Sequence, residues 1–131
     1  KVPTISIVIG EGASGGALGI GLTDKIVCFE NTWYSVISPE GCASILFRNT
    51  ELAQEAADSM KIAASDLKLF NIADYVIPEP IGGIHLDYDY AFKECKSLIV
   101  KYVHELSCID SEELIQNRHK KYQSIGIWKN G

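Results

Sequence analysis

Gly10-Glu11-Gly12-Ala13-Ser14-Gly15-Gly16 is the stretch best suited to chemistry. It follows the β-branched run Thr4-Ile5-Ser6-Ile7-Val8-Ile9 and precedes Ala17-Leu18-Gly19-Ile20-Gly21-Leu22. The pattern predicts a strand, a glycine turn and a short, tightly packed helix with glycines on one side. Three readings compete. Residues 10–15 fit G-x-G-x-x-G, and Glu30 stands at the end of the next strand, where a dinucleotide site keeps its ribose-binding acid. Few helical residues remain before the Thr23-Asp24 turn, however, and a parallel crossover needs about a dozen residues or more. The dinucleotide reading is set aside on that ground. In the second reading the glycines only permit a tight turn. In the third, Gly15 and Gly16 leave backbone N–H groups unpaired at the positive end of a helix dipole. An oxygen gaining negative charge can then approach without meeting a side chain, which is an oxyanion hole suited to enolate chemistry.

Other reactive residue types are less pointed. Ser38-Pro39-Glu40 suits a helix start, with serine as N-cap, proline in the first turn and glutamate at the positive dipole end. Together with Gly41 these residues are candidates to line a pocket, with plain capping as the alternative. His85 follows Gly82-Gly83 in a loop and reads as structural or solvent-facing. Trp33 and Tyr34 read as core, with contact to a partner as the alternative. Cys28, Cys42, Cys95 and Cys108 have no C-x-x-C spacing, so no metal site is expected. They are expected as reduced thiols, mostly buried as small hydrophobes.

The elements that position these residues alternate in type. Strands are predicted over residues 4–9, 26–29, 33–37 and 73–77, the last stopped by Pro78 and Pro80. Helices are predicted over residues 42–47, 51–60 and 65–70, with Ala53, Ala56, Ala57 and Met60 as one apolar face. From Asp87 the period becomes three and four, through Phe92, Cys95, Leu98, Ile99, Tyr102, Val103 and Leu106. Ser111 is expected to cap a last helix. Alternating strands and helices indicate an α/β fold.

With 131 residues, 47% hydrophobic and 22% charged, the chain is long enough for one domain with a core. Its net charge of −5 argues against nucleic acid. A phosphate-rich ligand would need helix dipoles, a few placed cations or a partner's basic surface. The basic run Arg118-His119-Lys120-Lys121 reads as a solvated helix face. No apolar run reaches bilayer length, so membrane insertion is not expected. The chain opens on a strand without an initiator Met, and its start reads as a cut within a larger protein.

Three stretches carry a family resemblance. Residues Val8 to Leu18 (VIGEGASGGAL) resemble the signature turn of the carboxyltransferase alpha subunit of multi-subunit acetyl-CoA carboxylase. Residues Tyr34 to Leu46 (YSVISPEGCASIL) resemble that family's second motif almost without interruption. Ile77-Pro78-Glu79-Pro80-Ile81-Gly82-Gly83, with His85, is similar to a third. The likeness is close from Lys1 to about His85 and looser to Tyr122–Gly126. Ala13 stands where the family has glycine, which is tolerable unless that residue needs φ > 0. Ile84 stands where a small residue is common, and the N-terminal part of the family's domain is not present.

The resemblance implies a crotonase-like (ClpP/crotonase) spiral of ββα units. Residues 1–86 would be the C-terminal part of that domain, and 87–131 a helical extension packing on the domain or on a partner subunit. It implies transfer of a carboxyl group from carboxybiotin, presented by the biotin carboxyl carrier protein, to acetyl-CoA, giving malonyl-CoA for fatty acid synthesis. It implies an α2β2 assembly with a beta subunit, and biotin carboxylase in the whole complex. In that family the alpha subunit's oxyanion hole matches Gly15 and Gly16 as catalytic residues, expected on the biotin side. Gly12, Ser14, Ser38, Glu40 and Gly41 are the matching candidates for substrate binding. No side-chain base is required, because biotin freed of its carboxylate can take the acetyl proton. The expected location is the bacterial cytoplasm, with the plastid stroma as the alternative. Two rivals stay open: a stand-alone crotonase-type acyl-CoA hydratase or isomerase, for which Glu40 is the sole acid candidate, and a non-catalytic assembly segment.

Overall fold

Two ββα turns open the chain. β1 (Ile5–Val8), β2 (Glu11–Gly12) and α1 (Ser14–Gly21) form the first, and β3 (Lys25–Phe29), β4 (Trp33–Tyr34) and α2 (Pro39–Leu46) the second. The structure is a computed structural model and describes residues 1–126. Each turn sends one strand to each of two sheets. β1 and β3 run parallel, with Ile5 opposite Lys25 and Val8 opposite Cys28. β2 and β4 also run parallel, with Glu11 opposite Trp33 and Gly12 opposite Tyr34. β5 (Tyr75–Ile77) completes a three-stranded sheet in the order β1-β3-β5. This is the crotonase-like α/β spiral that the motifs imply.

β3 is apolar in every residue after Lys25, and its place in the sheet explains why. Ile26, Val27, Cys28 and Phe29 are all buried, because both faces of the sheet are covered. Val27 and Phe29 share one core with Ile77 and with C-terminal residues Tyr102, Leu106 and Leu114. Ile26 and Cys28 point the other way, into a core with Val8, Ala64, Leu67 and Ala73. Ala64 and Leu67 belong to α4 (Ala64–Leu69), which follows α3 (Ala53–Met60). Ala56 of α3 is buried, with Ala53, Ala57 and Met60 half-buried beside it, as the alanine spacing predicts.

α5 (Tyr88–Ser107) and α6 (Ser111–Gln123) lie on the first core. The apolar positions of α5 divide between two sides of the helix. Ala91, Tyr102 and Leu106 are buried and Cys95 and Leu98 pack beside them, whereas Phe92, Ile99 and Val103 are exposed. The one stripe expected from sequence is therefore two, because seven apolar positions at mixed spacings of three and four exceed one face of a helix. The cap of α6 is Asp110 rather than Ser111. Its carboxylate accepts from the Glu112 N–H at 2.9 Å, and Ser111 is the first helical residue.

The basic run also departs from expectation. Arg118 and Lys121 are not a solvated face but the pegs that fix α6 to the domain. Arg118 donates through Nε and Nη2 to the two oxygens of Asp24 at 2.8 and 2.7 Å, and through Nη2 to the Val2 carbonyl at 3.0 Å. Lys121 donates to Asp74 at 2.5 Å and to the Asp24 carbonyl at 3.2 Å. Both carboxylates lie 47 or more residues away in sequence, a pairing that local charge pattern does not reveal.

Residues 9–24 cross from β1 to β3, its parallel neighbour. The length objection to a dinucleotide crossover therefore fails, since β2 and its flanking loops add reach that a count of helical residues leaves out. β2 itself was not visible as a strand. Two residues carry no alternation, and only pairing with Trp33 and Tyr34 makes them one.

Candidate functional site: the amino end of α1

α1 begins without a side-chain cap. Ala13 is extended, with φ −139° and ψ 161°, so alanine is tolerated where the family has glycine. The left-handed residue is its neighbour Ser14, with φ 61°, a backbone state that non-glycine residues adopt at a cost of order 1 kcal/mol. The Ser14 N–H donates to the Ser35 carbonyl at 3.1 Å, and the Ala17 N–H to the Ala13 carbonyl at 3.2 Å. Between them, the N–H groups of Gly15 and Gly16 reach no backbone carbonyl among the described residues. Both glycines are exposed. Two adjacent unpaired donors thus stand at the positive end of a helix dipole.

The space around each glycine separates packing from function. A Cβ on Gly12 would stand 2.7 Å from Tyr34 Cδ2, and one on Gly21 would collide with the Tyr34 hydroxyl. A Cβ on Gly41 would come within 2.8 Å of Ile37 Cγ1. These three glycines are required by the chain's own packing. Packing alone thus calls for glycine at Gly12 and Gly41, whatever part they have in substrate binding. At Gly15, Gly16 and Gly19 a Cβ would meet nothing within 4 Å. The tight packing expected of the α1 glycines holds at Gly21 and fails at Gly19. None of Gly15, Gly16 and Gly19 has positive φ, so neither packing nor backbone conformation among the described residues requires glycine at these positions.

The second motif is joined to the first by the short ladder. The Ser35 N–H donates to the Gly12 carbonyl at 2.8 Å, and Ser35 in turn accepts from Ser14. Ser38 caps α2, its hydroxyl accepting from the Gly41 N–H at 3.2 Å. That bond makes Ser38 the cap and leaves its own O–H free to donate. Glu40 is exposed in the first turn of α2. With Glu11, Trp33 and Ser38 it lines an open cleft of about 560 Å³. Trp33 is thus half-buried at the wall of a cleft, whereas Tyr34 packs on the second core.

The third motif is a structural clasp. The Glu79 carboxylate accepts from the Asn31 N–H at 3.0 Å and the Ile84 N–H at 3.3 Å. The Glu79 N–H donates to the Glu30 carboxylate at 2.9 Å, and the Glu30 N–H to the Ile77 carbonyl at 2.9 Å. Glu30 is thereby engaged at the end of β3, which removes the acid that a dinucleotide site would use. His85 is exposed in a turn of 3-10 helix. The four cysteines are free thiols: Cys28 is buried, Cys42 and Cys95 are half-buried, and Cys108 is exposed, against the expectation of mostly buried thiols. Burial pushes the Cys28 and Cys95 thiols up, away from reactivity.

The sequence profile described as acetyl co-enzyme A carboxylase carboxyltransferase-like matches residues 1–126. The chain belongs to that family. It is 50% identical over 127 residues to the acetyl-coenzyme A carboxylase carboxyl transferase subunit alpha of Staphylococcus saprophyticus, covering 97% of this chain and 40% of that protein. The subunit of the same name from Flavobacterium psychrophilum is 48% identical over 126 residues, covering 96% of this chain and 40% of the relative. That of Thermus thermophilus is 41% identical over 128 residues, covering 98% and 41%. The chain therefore spans about 40% of the length of the curated relatives it matches. Its fold is similar to a chain of the Pseudomonas malonate decarboxylase hetero-tetramer in complex with coenzyme A. The TM-score is 0.51 at 13% identity, covering 94% of this chain and 40% of that one.

Two residues at this carboxyltransferase-family turn carry roles that sequence reading did not give them. Tyr34 donates its hydroxyl to the Ala17 carbonyl, inside α1. Tyr122 of α6 donates to the Gly21 carbonyl and accepts from the Thr23 N–H at 2.9 Å. Burial is the chief cause that pushes both phenols above their ordinary values, so both stay protonated donors. Neither contact has a local sequence signal.

Proposed function

We propose that this chain is part of the alpha subunit of an acetyl-CoA carboxylase carboxyltransferase, which moves a carboxyl group from carboxybiotin to acetyl-CoA. The observation that carries this reading is the pair of unpaired, exposed N–H groups on Gly15 and Gly16. They lie within the family's matched region, on glycines that the chain's own packing does not require. In this reading the two N–H groups hold the negative charge that develops on the ureido oxygen of biotin as its carboxyl group leaves. Dipole and donors are in place before charge appears, which is where such stabilisation lowers a barrier most. A beta subunit holds the acetyl-CoA enolate in a second hole, and the α2β2 assembly brings the two together.

The remaining residues support that division. Ser38 and Gly41 build the start of α2, Ser14 directly precedes the donors in the chain, and Glu11, Ser38 and Glu40 are the polar groups at the cleft. A hydratase or isomerase would need an acid poised over its substrate. Glu40 is exposed on the capped first turn of α2 rather than enclosed with the glycine turn. The chain's net charge of −5 favours a partner's cations for the phosphates of coenzyme A. We place the complex in the bacterial cytoplasm, with the plastid stroma as the alternative.

The test is malonyl-CoA formation from carboxybiotin and acetyl-CoA by the complete alpha subunit. Turnover is expected with the beta subunit present and none with either subunit alone. Hydration of an enoyl-CoA by the alpha subunit alone, with no carboxyl transfer in the pair, would replace this reading with the hydratase one.

A further inference from the structure

α1 is a helix that does not hold itself. It has eight residues, four of them glycine, and no side-chain cap. Each glycine costs about 1 kcal/mol relative to alanine, and a helix this short is marginal alone. Its shape is imposed from outside. The Ser14 N–H is tied to Ser35, Ser6 donates to the Ile20 carbonyl, and Tyr122 holds the Gly21 carbonyl. Among the described residues, Tyr34 is the one tether that reaches the middle of α1, one residue beyond Gly16, through the Ala17 carbonyl. Its ring also fills the space facing Gly12 before the helix and meets Gly21 at the helix end. The Tyr34 backbone is fixed in turn, by pairing with Gly12 and by its N–H donating to the Ile62 carbonyl at 3.1 Å.

From this geometry we infer that Tyr34 is a positioning residue for carboxyl transfer, a strut whose hydroxyl sets the orientation of α1 and so the aim of the Gly15 and Gly16 N–H groups. The inference rests on the oxyanion role given to those glycines above. Tyr34 touches no reacting atom in this account and acts only through α1. Gly12 and Gly21 follow from it: each lacks a side chain because the strut passes there.

The experiment compares Tyr34→Phe and Gly16→Val in the complete alpha subunit assembled with its beta subunit. Phenylalanine keeps the ring against Gly12 and removes only the hydroxyl donor. Misaimed donors lose part of what a deleted donor loses, so kcat should fall about tenfold. The KM for acetyl-CoA, the thermal midpoint and the elution volume of the complex should stay near wild type. A kcat loss matched by an equal loss of assembled enzyme would reduce Tyr34 to a packing residue and overturn the inference. Wild-type kcat in Tyr34→Phe, with Gly16→Val inactive, would also overturn it and leave the oxyanion role standing. Wild-type kcat in both variants would remove the oxyanion role, and the strut with it.

Discussion

Gly16→Val should nearly abolish carboxyl transfer while leaving the subunit folded and assembled. Its backbone is ordinary helix, and a Cβ there meets nothing of the chain within 4 Å. Valine is a somewhat better helix residue than glycine, so stability should hold or rise slightly. The branched side chain instead stands in front of the two donors, where a ligand oxygen has to come close. Losing one such donor costs roughly 3 kcal/mol, about a hundredfold or more in rate. The loss should fall on kcat more than on the KM for acetyl-CoA, because the donors act when charge has developed. Steady-state kinetics on the assembled enzyme, with sizing chromatography to confirm the complex, reads this. Near wild-type turnover in a normally assembled variant would leave the glycines as seats for another part of the protein.

The second large effect is on stability. Arg118→Ala should destabilise the complete subunit by about 3 kcal/mol, because it strands a buried carboxylate. Asp24 is 8% exposed and receives both guanidinium bonds, together with the Thr4 N–H at 2.8 Å and the Thr4 hydroxyl at 2.9 Å. Burial by itself would raise the Asp24 pKa, but Arg118 and Thr4 outweigh it and hold the carboxyl below its ordinary value. A depressed folded-state pKa contributes stability above the unfolded-state value of about 4, and that contribution is lost as pH falls through the folded value. Without Arg118 the burial effect gains weight and the Asp24 pKa moves back up, so the variant is penalised most near neutral pH and its deficit against wild type should narrow as pH falls below about 4. Thermal unfolding across pH 3–7 measures both changes, and equal midpoints for the two proteins would show that the pair does not lock α6.

What could be read in the sequence was what is decided locally. The start of α2 was legible because a cap, a first-turn proline and an acidic residue act within a few residues of one another. So was the face of α3, where alanines repeat at helical spacing. β3 was legible from its run of large apolar residues. β2 was not, since its two residues become a strand only against β4. The glycine turn was legible as a strand-to-helix turn, but sequence could not say which glycines served packing. That depends on Tyr34 standing over Gly12 and Gly21 at once. Ser38 and Gly41 read as either cap or pocket residues, and the structure shows the cap, with Ser38 also on the wall of the cleft. Arg118 and Lys121 looked solvated because their carboxylates are far away in sequence. The motifs identified the family, and the partners that hold the glycine turn in place came only from tertiary structure.

The most direct test of the central claim is where a ligand oxygen sits. A structure of the complete alpha subunit assembled with its beta subunit, with biotin bound, should place the ureido oxygen about 3 Å from the N–H groups of both Gly15 and Gly16. A biotin whose ureido oxygen is bound elsewhere, with those two N–H groups facing water or another protein segment, would contradict it.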